Sequence, residues 1–415
     1  MDTGDTAWIL ASSALVLLMT PGLAFFYGGM VRSKTVLNMM MMSFIALAIV
    51  PVLWVLYGYS IAFSPEGNGW LGGFERLGLD NIGLETAYGT LPEYVFVAFQ
   101  LMFAIVTVAL ISGAIADRAK FGAWSLFVVI WVSVVYFPVA HWVFDFGENG
   151  GWIATELEAL DFAGGTAVHI NAGAAGLALA LVLGKRVGWK RDPMRPHNLP
   201  FVLLGAGLLW FGWIGFNAGS AVGANGLAGL ALVNTTVATG AAILGWLLVE
   251  SIRDKKATSL GGASGAVAGL VAITPAAGAL TPVGSIGLGV IAGALCALAV
   301  GLKYKFGYDD SLDVVGVHLV GGLVGTLLIG FLAAGDVGLF YGGNLEQLGK
   351  QAVAAFAVLA YSFVLTYIIG KLIDVTIGFR ISEEDEVLGI DQVEHLETAY
   401  DEAGIIGGSA LKTGV

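Results

Sequence analysis

Charge is scarce in this 415-residue chain: Lys, Arg, Asp and Glu together make up 12% of it, while 57% is hydrophobic. Soluble domains carry about twice that charge, so the deficit excludes an ordinary water-soluble fold, and the long apolar runs make the chain an integral membrane protein. Cysteine is nearly absent as well. The single Cys296 sits in an apolar run, rules out an intrachain disulfide and leaves no metal-ligand spacing, so neither a metal nor another cofactor is expected. No basic residue precedes Trp8, and the opening MDTGDT carries two aspartates. A secretory signal needs a positive start and a shorter core, so Trp8–Met30 reads as a retained membrane helix. A net charge of −12 implies no nucleic-acid partner.

What the chain has in abundance is apolar sequence and 61 glycines. The apolar runs predict an all-α fold of eleven transmembrane helices. They are expected near Trp8–Met30, Asn38–Phe63, Glu93–Ala116, Phe121–Phe144, Asp161–Gly184 and Leu199–Asn217. The rest are Leu227–Glu250, Leu260–Ala279, Ser285–Leu302, Leu312–Ala334 and Lys350–Ile373. Basic residues stay preferentially on the cytoplasmic side. With the N-terminus outside, all 19 Lys and Arg except Arg76 and Lys350 fall on that side, and the long acidic loops fall outside. An odd span count then puts the C-terminus in the cytoplasm. Two five-helix halves of opposite topology, about 8–184 and 199–334, are expected, followed by an eleventh helix at 350–373. The membrane domain is 1–373, and a hydrophilic tail occupies 374–415.

Two histidines lie inside these spans. His169 stands in DFAGGTAVHINAGAAG and His318 in SLDVVGVHLVGG, 149 residues apart, and aligning them pairs Val168 with Val317, Gly173 with Gly322 and Gly176 with Gly325. A histidine in hydrocarbon is costly unless satisfied, which makes it a functional candidate, and repeat-related residues commonly meet near the membrane midplane. The competing account is that each ring merely holds packing together. The glycines around both allow the close helix approach that juxtaposition needs. Two imidazoles can donate and accept hydrogen bonds and exchange a proton near neutrality, whereas cation selectivity needs several oxygen ligands. The passage therefore suits a small uncharged or transiently discharged solute.

Aromatic residues recur at helical spacing, Phe99 and Phe103 with Gln100 alongside, and Trp210, Trp213 and Phe216 followed by Ser220. Ring faces attract a weakly hydrated cation by roughly 0.5–2 kcal/mol, and Ser220 can accept a hydrogen bond from it. Asp161, eight residues before His169, either caps the helix or stabilises positive charge electrostatically, with the structural role preferred.

These motifs resemble one family. ALDFAGGTAVHINAGAAG around His169, GWIGFNAGSA around Trp213, DVVGVHLVGG around His318, FYGGMVRSK at Phe26–Lys34 and FQLMFA at Phe99–Ala104 are similar to the Amt group of the Amt/Mep/Rh ammonium transporters. The resemblance covers nearly the whole chain. It implies a homotrimer in the cell membrane with one narrow pore per subunit, moving ammonium inward. It assigns Phe103, Phe144, Trp213 and Ser220 to an outer recruitment site, Phe103 and Phe216 to a stacked gate, His169 and His318 to the pore, and Asp161 to an essential position below the recruitment site. It further implies that ammonium is deprotonated at the outer vestibule and that ammonia and the proton pass separately. Members with a complete aromatic cage carry tryptophan where this chain has Phe144, which gives a weaker cation platform and no indole donor. The tail GFRISEEDEVLGIDQVEHLETAY resembles the family's ordered cytoplasmic tail, and a trimeric PII signalling protein is the expected partner on that side. An ammonium sensor with little transport and a neutral Rh-type gas channel remain alternatives. An enzyme is not expected, because no nucleophile or metal cluster accompanies the histidines.

Overall fold

A computed structural model describes residues 1–400. The last part of the predicted tail, 401–415, lies outside the described residues. The rest is an α-helical bundle in which ten helices are long and apolar enough to cross a membrane. They are α1 Thr3–Met30, α2 Val36–Phe63, α3 Glu93–Ile115, α4 Phe121–Phe144, α5 Gly165–Leu183, α6 Leu199–Gly219 and α7 Gly226–Arg253, then α9 Pro282–Phe306, α10 Val315–Leu332 and α11 Glu346–Thr376. The segment expected at Leu260–Ala279 forms a shorter apolar helix, α8, Ser259–Ile273. Its 15 residues rise roughly 22 Å, short of a bilayer core of about 30 Å. Thr274 and Pro275 end it: the Thr274 hydroxyl donates back to the Leu270 carbonyl, and Pro275 has no N–H to continue the ladder.

Prolines also shape α2 and α4. Each widens to a π turn beside its proline, Trp54–Gly58 after Pro51 and Val132–Tyr136 before Pro138. Such turns absorb the register lost to a missing N–H. The two irregular stretches meet, since the Phe137 ring lies against Gly58 and packs 5.5 Å from Trp54. The other helix ends lie within about five residues of expectation, although α9 and α11 run longer at both ends and the helical ladders of α5 and α10 begin later than predicted. Asp161 lies in irregular chain before α5 and Leu312 in a turn before α10. The loop after α2 contains a hairpin of two-residue strands, Ala87–Tyr88 with Leu91–Pro92.

At the opposite end the tail packs back on the bundle. A short helix, Glu383–Leu388, and the turn Asp391–His395 put three carboxylates against backbone N–H groups elsewhere in the chain. Asp391 accepts from Leu37 and Asn38 at 3.0 and 2.8 Å, Glu394 from Phe121 at 2.9 Å and Glu386 from Val187 at 2.7 Å. The first two lie at the N-termini of α2 and α4, whose orphan donors and positive dipole end favour an anion.

Candidate conduction pathway

His169 and His318 are brought together by a device repeated at the 149-residue offset. Asp161 precedes α5, and its carboxylate accepts the N–H groups of Gly164, Gly165 and Thr166 at 2.8, 2.6 and 2.8 Å as well as the Thr166 hydroxyl. Asp310 stands at the matching position before α10 and accepts from Val314 and Val315 at 3.1 and 2.7 Å. Between cap and helix the backbone turns through positive φ at Gly164 (114°) and, in register with it, Asp313 (64°). Both helices then open with a π turn, Gly165–Ile170 and Val315–Leu319, and each π turn carries one histidine. Asp310 and the two π turns were not anticipated. The aspartate was legible in the alignment of the two segments, whereas helix type was not.

The crossing between α5 and α10 is reciprocal. A side-chain carbon at Gly173 would stand 2.6 Å from Cβ of Leu319, and one at Gly322 would stand 3.0 Å from Ile170. Only hydrogen fits at the first. The helices therefore approach closely enough that the Nδ1 atoms of His169 and His318 lie 3.3 Å apart, with ring centroids at 5.4 Å. Neutral imidazoles at that contact must be opposite tautomers, one Nδ1 donating and the other accepting. Their Nε2 atoms are then one donor and one acceptor. The Nε2 of His169 is buried with no hydrogen-bond partner among the described residues.

A file of rings continues from this pair. Trp213 stacks on His169 at 5.4 Å, Phe216 lies 5.6 Å from Trp213 and 6.2 Å from His169, and Phe103 stacks on Phe216 at 4.1 Å. Phe144 meets Phe103 edge-on at 6.2 Å and Phe99 meets it at 5.0 Å. Trp213 and Phe216 are held there because α6 packs closely on α1 through Gly212 against Met19 and through Gly215 against Leu15. The indole N–H of Trp213 is spent on Thr274 Oγ1 at 2.8 Å, and the Thr274 hydroxyl also faces Asn217 at 3.3 Å. No sequence pattern pointed to Thr274, which comes from the end of another helix. Ser220 caps α6 one turn beyond Phe216, whose carbonyl accepts its hydroxyl at 2.8 Å. Trp142, two residues before Phe144 and so on another face of the helix, packs instead with Trp70, Trp152 and Tyr361.

A buried ion-pair cluster lies near the segment that precedes α10. Arg186 holds Asp309 through Nε at 3.0 Å and Nη2 at 2.8 Å and reaches Asp117 at 3.1 Å. Burial of Asp309 opposes ionisation, but Arg186 outweighs it and holds the carboxyl below its ordinary value. Burial pushes Asp310 the other way, up to about 6, against the pull of Lys303.

Comparison with known proteins decides what this arrangement belongs to. A family model described as Ammonium Transporter Family matches residues 7–400. The chain belongs to the ammonium transporter family. It is 60% identical to the ammonium transporter of Mycobacterium tuberculosis (strain ATCC 25618 / H37Rv), over 99% of this chain and 92% of that protein. It is 50% identical to the ammonium transporter of Bacillus subtilis (strain 168), over 97% of this chain and all of that one. Among solved structures, Saccharomyces cerevisiae Mep2 superposes with a TM-score of 0.85 at 36% identity, covering 92% of this chain and 88% of Mep2. A structure titled Sensor Amt Protein superposes at 0.88 with 29% identity, covering 94% of this chain and 98% of that one. The family is one of multi-pass membrane transporters rather than enzymes. The touching histidines and the stacked rings beside them accord with membership.

Proposed function

We propose that this protein conducts ammonium across the cell membrane by recruiting the ion at an outer aromatic site, removing a proton and passing ammonia along the ring-lined, twin-histidine pathway. The observation that carries the reading is the 3.3 Å contact between His169 and His318 at the end of a file of rings. A charged ammonium entering such surroundings loses hydration worth several kcal/mol that apolar groups do not return, whereas neutral ammonia loses far less. The histidine pair offers ammonia both a donor and an acceptor and gives the proton a separate route.

In this reading Phe103, Phe144, Trp213 and Ser220 form the recruitment site and Phe103 with Phe216 the gate. Because the Trp213 N–H is already engaged by Thr274, Trp213 contributes its ring face. Asp161 acts as the cap of the His169 turn. Counting α8 with the ten longer helices makes eleven spans, arranged as inverted halves 8–184 and 199–334 plus α11, with residues 374–415 as a cytoplasmic tail. The N-terminus is outside. The protein works as a homotrimer in lipid, with a PII-type signalling protein as its cytoplasmic partner.

The test is current on a solid-supported membrane after an ammonium concentration jump, measured beside ammonia flux for the wild type and His169→Ala. Current that His169→Ala abolishes or changes in ion selectivity supports the reading. Flux without current replaces it with neutral gas conduction. Neither flux nor current leaves a sensor, whose fold the comparison at TM-score 0.88 also matches.

A further inference from the structure

Asp161 caps the turn that carries His169, yet Asp161 itself lies outside any helix. Leu160, just before it, has no helical partner for its N–H or its carbonyl. Both are taken by one side chain of α11: Gln351 Oε1 accepts the Leu160 N–H at 2.7 Å and Gln351 Nε2 donates to the Leu160 carbonyl at 2.7 Å. The remaining amide hydrogen meets the Thr326 carbonyl on α10 at 3.2 Å, and Gln347 donates to Oε1 at 2.9 Å. All four hydrogen-bonding positions of the amide are used, at 0% exposure. A fully satisfied buried polar group of this kind rigidifies what it binds.

The other half uses the same device with a different residue. Asp309, which matches Leu160 at the 149-residue offset, gives its carbonyl to Arg118 Nη2 at 2.6 Å. The same guanidinium donates to Ser311 Oγ at 2.6 Å and to the Ala114 and Ala116 carbonyls at 3.2 Å. Burial lowers Arg118 to about 10, still charged at neutral pH. Each capping aspartate thus follows a residue whose carbonyl is gripped by a buried donor from a distant part of the chain.

We propose that Gln351 is a positioning residue for the pore: through Leu160 and Asp161 it sets the height and angle of His169 against His318, and Arg118 does the same for His318 through Asp309 and Asp310. The proposal rests on the conduction reading above for its transport consequence, but its geometric consequence is independent of it. Among the described residues Gln351 bonds only to Leu160, Thr326 and Gln347 and to no ring of the pathway, so its loss disturbs the histidine pair and not the recruitment site.

The experiment compares Gln351→Leu and Gln351→Glu with wild type in proteoliposomes and in solution. An ionised glutamate keeps the acceptor for Leu160 N–H but cannot donate to the Leu160 carbonyl. Protonated, it regains one donor. Since a misplacement of about 1 Å can cost two orders of magnitude, the maximal rate of both variants at neutral pH is expected to fall by roughly tenfold or more, with half-saturation unchanged. Gln351→Glu should recover as pH falls, relative to wild type, and Gln351→Leu should not. Asp161, and at the surface Lys350 with Glu158 and Glu346, are the charged groups around this position, and all are kept in every variant. Nitrogen-15 shifts of the two imidazoles, read without any transport, should lose the opposite-tautomer signature in both variants at neutral pH. Wild-type rates or wild-type imidazole shifts in folded Gln351→Leu, or in folded Gln351→Glu at a pH where its carboxylate is ionised, overturn the proposal. If Gln351→Leu fails to fold, the pH profile and shifts of Gln351→Glu decide alone. An inactive wild type would sink the conduction reading while the imidazole shifts still judge Gln351.

Discussion

Replacing Asp161 by alanine separates a structural cap from a mere source of charge. The carboxylate serves three backbone N–H groups at 2.6–2.8 Å and the Thr166 hydroxyl, and the residue is only 8% exposed. Each buried donor left without a partner costs about 1–3 kcal/mol, so Asp161→Ala should lose about 3 kcal/mol or more even if water reaches one of them. Loss of the anion at the helix start adds about 0.3–1 kcal/mol. Asp161→Asn keeps the oxygen that serves Gly164 and Gly165 but turns an amide NH2 toward Thr166, for an intermediate loss of about 2 kcal/mol. Thermal unfolding in detergent should therefore order wild type above Asn above Ala, and proteoliposome transport should fall in the same order. The reasoning fails if Asp161→Asn matches alanine in stability, which would mean that charge alone matters. It fails equally if Asp161→Ala loses less than about 1 kcal/mol, since those donors would then not need the carboxylate.

Gly173→Ala puts a methyl 2.6 Å from Leu319 Cβ and should cost about 1–3 kcal/mol with loss of transport, while Gly207→Ala, with nothing within 4 Å, should leave melting and flux unchanged. Phe144→Trp should lower half-saturating ammonium about two- to fivefold, from a cation–ring gain of about 0.5–1 kcal/mol; an unmoved concentration dependence removes Phe144 from the recruitment site. Arg186 holds Asp309 below its ordinary value, so the stability this pair contributes is present above about pH 4 and lost as pH falls through the lower folded value. Asp309→Asn should accordingly flatten the acid limb of a melting-temperature profile, and an unchanged limb would count against the pair. Asp391→Ala should free the start of α2, costing about 1 kcal/mol and speeding amide exchange at Leu37 and Asn38.

Taken alone, the amino-acid order determined the class of fold, the helix positions to within a few residues and the candidates His169, His318, Phe103, Phe216 and Trp213. It could do so because hydrocarbon demands long apolar runs and makes each buried imidazole conspicuous. The matching spacing even held the Asp161 and Asp310 pair. Only the tertiary structure decided that α8 stops at Ile273, that both histidines ride on π turns, that Thr274 occupies the Trp213 N–H and that Gln351 and Arg118 grip the segments before the caps. Those facts depend on which donor from a remote helix reaches a backbone group with no local partner. Such partners leave no periodicity along the chain, because hydrogen-bond satisfaction is settled in space and not in sequence.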